Sequence, residues 1–320
     1  MDGSKKGIKL ERLFREIKEI VENNEQKQLV SLICDHYNRW ARRTPNNVVA
    51  NVIGFHNRYR FWGNLEPRTG DISLIEQRAD ILKNKWPKIE EFYYRLEDYR
   101  SKAVLLMILN NWLTFSYDEI AGVKENCFKS YFDLDLLMCD EHEVFVDLGA
   151  YNGDTVEDYL ETYGEDGYSK IYCYEILEDN VKKLHEKFDE ARDIVIRPVG
   201  VSKEKGEMYL CENGTADAQA LVSEGNGRKV ETVSLDDDIT EKITFIKTDI
   251  EGAERDALLG AREHIRKDRP KLAISIYHSN EDLLAIYELI EEIQPGYRFY
   301  LRYNGLPYFP TDYILIGLPE

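Results

Sequence analysis

Apolar residues recur every three or four positions through the first ~120 residues, the period of helices with one buried face. Leu10, Leu13, Phe14, Ile17, Ile20 and Val21 share one such face, and Leu29, Leu32, Ile33, Tyr37 and Trp40 share a second. Asn23-Asn24-Glu25 marks a turn between them, and Thr44-Pro45-Asn46-Asn47 closes the second helix. The span from Val48 to Gly70 is less regular. Pro87 suits the first position of a long helix, which carries Ile89, Phe92, Tyr93, Leu96, Tyr99 and Ala103 toward Trp112 and ends near Phe115.

From Tyr131 onward short β-forming runs alternate with helical stretches, the pattern of a mostly parallel sheet wrapped by helices. Val144 to Val146 form a buried strand that ends at Asp147, and a helix follows from Thr155 to about Tyr163. Ile171 to Glu175, Ile194 to Val199 and Ile243 to Asp249 are further strands; helices run from Leu177 to Phe188 and from about Ala253. Between the third and fourth main strands lies an insertion. Gly206 to Cys211 and Arg228 to Ser234 read as strands, joined by a Gly/Asn-rich loop whose length and place make it a candidate substrate loop. Tyr297 to Tyr303 and Tyr313 to Leu318 form an antiparallel final pair. Two domains are expected, a helical one over 1–125 and an α/β one over 126–320.

The chemistry concentrates at strand ends. Asp147, Gly149, Ala150, Tyr151, Asn152, Gly153, Asp154 and Thr155 form a glycine-spaced turn between a strand and a helix. Such a turn lies at the carboxyl edge of a sheet, where open α/β folds bind ligands. Its glycines permit tight turning and the close approach of a ligand, and an aspartate there suits a cationic ligand while repelling a pyrophosphate. The G-x-G-x-x-G spacing of dinucleotide sites is missing. Glu175 ends the second strand, where a carboxylate accepts from both ribose hydroxyls of a nucleoside. Gly200 and Val201 are placed to wall an adenine pocket or to make a plain strand-end turn. In I-T-F-I-K-T-D-I-E-G-A-E, Asp249, Glu251 and Glu254 crowd carboxylates at the same edge. Like charges held together shift one another's pKa and favour a functional explanation.

The D-I-E-G-A-E run, the upstream V-E-T-V-S-L-D-D, the D-L-G-A-Y-N-G-D-T loop and Glu175 together resemble the FkbM family of methyltransferases. P-K-L-A-I-S-I-Y-H-S-N-E-D-L and Y-R-F-Y-L-R-Y-N extend the resemblance, which spans roughly Tyr131 to Leu318. It implies a class I methyltransferase-type Rossmann-like fold, S-adenosyl-L-methionine as cofactor, and O-methylation of a hydroxyl on a sugar or small metabolite. Cofactor binding falls to Asp147, the 149–155 loop, Glu175, Gly200 and Asp249. Asp249 and His278, each following an apolar strand, are the candidate bases. Glu251, Tyr277, Arg58 and Trp62 are candidate acceptor contacts, with Tyr59 and Arg60 beside them. No metal is expected. Two other classes start from the same sheet: a dinucleotide-dependent oxidoreductase or epimerase, disfavoured by the glycine spacing, and a non-catalytic binding protein.

Charge and composition narrow the partners. Residues 1–139 hold 22 Lys/Arg against 20 Asp/Glu, a net of +2, and residues 140–320 hold 20 against 40, a net of −20, so the excess negative charge lies wholly in the second part. A half that acidic repels a phosphate backbone, which disfavours general nucleic-acid binding. The five cysteines are scattered, odd in number and without C-x-x-C pairs, so neither a disulfide framework nor a zinc site is expected. The longest apolar run, Ala103 to Leu109, is too short to span a bilayer. No signal segment is seen, and a soluble cytoplasmic protein is expected, with the N-terminal helices available for acceptor binding or for a homodimer.

Overall fold

Both apolar stripes near the start become helices, α1 (Gly3–Glu22) and α2 (Gln26–Arg43). α3 (Asn46–Arg58), α4 (Ser73–Asn84), α5 (Trp86–Arg95), α6 (Tyr99–Thr114) and α7 (Tyr117–Ala121) follow. These come from a computed structural model that describes residues 3–58, 62–66, 68–191, 193–210, 221–222, 227–306, 308–309 and 311–320. The chain divides into two units, one of residues 1–125, 276–284 and 299–314, the other of 126–275, 285–298 and 315–320.

The helical unit corrects the sequence pattern twice. The span taken as irregular opens with a full helix, α3. Val52 and His56 stand four residues apart and are buried, but Gly54 and the asparagines blur their period. The long helix expected from Pro87 to Phe115 is instead two. Glu97 N donates to Phe299 O at 3.0 Å and Leu96 bridges Phe299 in parallel, which pulls this stretch out of helical geometry. Asp98 then restarts the helix as the N-cap of α6, accepting from Ser101 N at 2.7 Å. The core of this unit is aliphatic and aromatic. Phe14 stacks on Tyr93 with centroids 4.4 Å apart, and Tyr37 meets Phe115 edge-on at 5.1 Å.

The α/β unit is built from β1 (Val144–Leu148), α8 (Asp154–Tyr163), β2 (Lys170–Tyr174), α9 (Glu178–Phe188) and β3 (Ile194–Arg197). The insertion supplies β4 (Gly200–Val201), β5 (Gly206–Leu210), β6 (Leu221–Val222) and β7 (Lys229–Val233), then α10 (Leu235–Asp238). β8 (Phe245–Thr248), α11 (Glu254–Gly260), α12 (Arg262–Lys267), β9 (Lys271–Ser275), α13 (Asp282–Ile293), β10 (Tyr297–Tyr303) and β11 (Tyr313–Pro319) complete the chain. A seven-stranded sheet has the order β10-β11-β9-β8-β1-β2-β3, with β3, β2, β1, β8 and β9 all parallel. β4, β7, β5 and β6 form a second, small sheet in that order.

β1 is buried at every position, as a central parallel strand requires. Beside it Phe145 stacks on Tyr159 at 4.8 Å and leans on Phe245 at 4.9 Å. Among the described residues no helix is long and apolar enough to cross a membrane, and Cys34, Cys127, Cys139 and Cys173 are all free.

The restart of α6 yields a stability prediction. Asp98 Oδ2 also pairs with Arg302 Nη2 at 2.8 Å, and Arg302 is buried. Burial raises the Asp98 pKa, but Arg302 and Ser101 outweigh it and hold the carboxyl below its usual value. A depressed carboxyl contributes stability above its unfolded pKa of about 4, and that contribution is lost as pH falls through the folded value. Asp98→Ala removes both the cap and the counter-charge and should cost about 3 kcal/mol in urea denaturation at neutral pH. Asp98→Asn, which keeps the cap acceptor, should cost clearly less, and both deficits should shrink in acid. Equal stability of parent and Asp98→Asn would show the ion pair to be worth nothing.

Candidate active site

A lysine inside an otherwise apolar strand must meet a carboxylate, since a buried ammonium without one is very costly. The register of β1 and β8 sets Lys247 directly beside Asp147, and Nζ lies 2.8 Å from Oδ1. Both side chains are buried. The ammonium also donates to Gly149 O at 2.9 Å and sits 5.1 Å from the Tyr131 ring centroid. Burial pushes the Asp147 carboxyl up to about 6 against the opposing pull of Lys247. Burial also lowers the Lys247 pKa, but Asp147 and Asp249 reverse this and leave it raised. At neutral pH the pair is therefore ionised. The charge expected to lie open at the strand tip is met inside the protein.

The loop after β1 is fixed from three sides. Gly149 N and Ala150 N both donate to Tyr174 O at 3.0 Å, which ties the loop to the end of β2. Gly149 has φ +80°, and a Cβ there would lie 2.0 Å from Asp249 O. Gly153 has φ +87°, and its Cβ would meet the Phe188 ring at 2.6 Å. On sequence these glycines make room for a ligand; in the fold each faces protein, and tight packing alone demands them. Tyr151 has φ +46°, a costly conformation for a side-chain-bearing residue. Asn152 Oδ1 accepts from Asp154 N at 3.1 Å, and Asp154 and Thr155 open α8.

Glu175 follows β2 directly. One carboxylate oxygen accepts from Ile176 N and Leu177 N, both at 2.7 Å, so the side chain is set before any ligand arrives. Burial raises its pKa, opposed by these N–H groups and that of Tyr151. A carboxylate has about four acceptor sites, so acceptor capacity remains for a diol. Gly200 lies in β4, paired with Thr232 of the small sheet. Asp249 follows β8 and accepts from the Tyr131 hydroxyl at 2.9 Å, while that hydroxyl is 3.3 Å from Ser275 Oγ. The three acidic residues of this loop differ in use. Glu254 turns back on its own loop, accepting from Ile250 N at 2.9 Å and Gly252 N at 3.0 Å. Glu251 is half-buried in a left-handed conformation, φ +56°.

The other candidates belong to the helical unit. Trp62 Nε1 donates to Tyr277 O, Phe55 stacks on Trp62 at 5.4 Å, and Asn280 Nδ2 donates to Trp62 O at 2.9 Å. His278 is buried with its ring 4.1 Å from that of Tyr277. Arg58 ends α3. Tyr59, Arg60 and most of the Gly/Asn-rich insertion loop lie outside the described residues. Lys247 and Tyr131 were missed on sequence. The lysine carried a signal, a charge inside I-T-F-I-K-T; Tyr131 carried none.

The buried pair can be tested apart from any ligand. Lys247→Met strands a buried carboxylate and should destabilise by about 3 kcal/mol or more at pH 7. A raised carboxyl favours the folded state below its unfolded pKa of about 4 and loses that advantage as pH rises through the folded value. The Lys247→Met deficit should therefore shrink as pH drops from 7 to 5. Adding Asp147→Asn should restore part of the loss. Additive effects in the double variant, followed by circular dichroism, would show that the two groups do not interact.

The profile of the Methyltransferase FkbM domain matches residues 147–299. Among solved structures, the chain is similar to Methyltransferase FkbM from Methylobacillus flagellatus KT, with 27% identity and a TM-score of 0.65 over 78% of this chain and 63% of that one. The chain thus spans less than two thirds of that protein. An rRNA methylase from Streptococcus thermophilus is 17% identical over 57% of this chain and 89% of that one, TM-score 0.37. Aeropyrum pernix fibrillarin in complex with natively bound S-adenosyl-L-methionine is 9% identical over 57% and 69%, TM-score 0.37. A comparison with curated proteins finds no match. The domain that begins at Asp147, in which parallel strands deliver the 149–153 loop, Glu175 and Asp249 to neighbouring strand ends, is thus FkbM-like, matching the Methyltransferase FkbM domain over residues 147–299.

Proposed function

We propose that the chain is an S-adenosyl-L-methionine-dependent methyltransferase that O-methylates a hydroxyl of a sugar or small metabolite. The observation that carries this is the preset Glu175 carboxylate beside the 149–153 loop, whose N–H groups bond to the end of β2. A rigid carboxylate with spare acceptor capacity suits the ribose diol of a nucleoside. The loop residues Ala150 to Thr155 would hold the remainder of the cofactor. When bound, the cofactor supplies an electrophilic methyl group on a cationic sulfur.

The chain's own part is alignment and proton removal. Asp249, steadied by the Tyr131 hydroxyl, would accept the acceptor's proton; His278 is the alternative base. Asp147 takes a positioning role in this reading: its ion pair holds Lys247 on Gly149 O and so fixes the loop. Trp62, Tyr277 and Arg58 are assigned to acceptor recognition, with the 1–125 helices as the acceptor-binding or self-association part. No metal enters the scheme.

Isothermal titration with S-adenosylmethionine, S-adenosylhomocysteine and NAD tests the cofactor directly. The first two should bind and NAD should not. Glu175→Ala should weaken S-adenosylmethionine by at least about tenfold, roughly 1.4 kcal/mol. Gly149 is a poor probe, because its substitution disturbs packing first. With an acceptor in hand, alanine at the true base should lower kcat by roughly 10²–10⁴-fold, and a chelator should leave turnover intact. Binding of NAD alone would overturn the assignment.

A further inference from the structure

The helical unit buries a guanidinium that no carboxylate meets among the described residues. Arg78, on α4, is 2% exposed. Its charge lies 5.6 Å from the Trp112 ring centroid and 5.9 Å from that of Phe115, and Nε reaches Asn280 Oδ1 only at 3.5 Å. Nη1 has no hydrogen-bond partner among the described residues. Burial acts most strongly against its charge, and the groups that oppose this are the hydroxyls of Tyr117 and Tyr313. Both hydroxyls are themselves buried without a partner among the described residues. Neither can serve as a counter-ion, since burial drives both phenol pKa values up. Nearby His56 adds no charge, because burial, with Arg78, pushes its pKa down to about 3.

Arginine cannot shed its proton, so the usual escape of a buried charge is closed. An unpaired buried ion costs several kcal/mol, and each unmet hydroxyl adds to that. Arg302 in the same unit shows the ordinary solution, pairing with Asp98 at 2.8 Å. Arg78 also lines a small cavity of about 10 Å³ with Trp62, Trp112, Tyr277, Asn280 and Tyr313. The wider cavity lined by Arg39, Trp40, Tyr117 and Tyr308 is about 460 Å³. The small size and aromatic walls favour a compact, weakly hydrated ion over a phosphate.

We infer that Arg78, with the Tyr313 hydroxyl that lines the same cavity, forms a binding site for a compact monoanion, either a carboxylate or a halide. One anion accepting from Nη1–H and from the Tyr313 O–H satisfies both of these orphaned donors. A carboxylate would be the acid group of an organic ligand, and a halide would be a resident structural ion. The site stands on the geometry of the helical unit and is independent of the methyl donor.

The test is thermal unfolding of the full chain in chloride and in acetate, each titrated at constant ionic strength against the bulky sulfonate HEPES. At least one anion should raise the parent Tm saturably, by roughly 3 °C at high occupancy. Arg78→Met, which removes the unpaired charge, should lose that response and should not be less stable than the parent in the sulfonate buffer. Tyr313→Phe, which keeps the charge, should fold and need several-fold more anion for half its effect. Chlorine NMR line broadening by the parent, competed by acetate, gives a readout that needs no variant. A response to acetate alone assigns a carboxylate ligand, and a response to chloride assigns a halide. A parent indifferent to both anions, or an Arg78→Met variant that responds as the parent does, overturns the inference.

Discussion

The α/β unit depends on one buried ion pair. Asp147 and Lys247 face each other across two central parallel strands, and neither could be buried without the other. Their pairing also reaches beyond the strands. The same ammonium holds Gly149 O and lies over Tyr131, whose hydroxyl holds Asp249. The loop after β1 and the residue after β8 are thereby fixed to one charge. Gly149 completes the lock, because only a residue without Cβ fits against Asp249 O.

Other acidic groups of this unit are likewise engaged locally. Glu175 takes the first N–H groups leading into α9, and Glu254 takes two N–H groups of the turn before α11. Backbone amides at such turns otherwise lack partners. A carboxylate that accepts them is held in one orientation at no further entropic cost when a ligand binds. Preset polar groups of this kind are what transfer chemistry uses, since they need not reorganise during the reaction.

In the helical unit two buried arginines meet different fates. Arg302 is neutralised by the residue that caps α6, so one aspartate restarts a helix and matches a charge. Arg78 rests on aromatic rings and an amide. Cation–ring contacts contribute about 0.5–2 kcal/mol, well short of what burying a guanidinium costs.

The sequence by itself determined the elements whose cause is local. Periodicity gave α1 and α2, the alternation after Tyr131 gave a parallel sheet, and the glycine-spaced turn and acidic strand ends gave the positions of the loop, Glu175 and Asp249. Its motifs carried the resemblance to the FkbM methyltransferases that the match over residues 147–299 bears out. It did not determine what those residues touch. The break at Leu96 depends on Phe299, two hundred positions away, and α3 hides its period behind Gly54. That Asp147 is neutralised, that Gly149 faces Asp249, and that Glu254 serves its own turn depend on strand register and loop closure. A one-dimensional pattern records which residues prefer burial or charge. Only the packed chain decides which charge meets which.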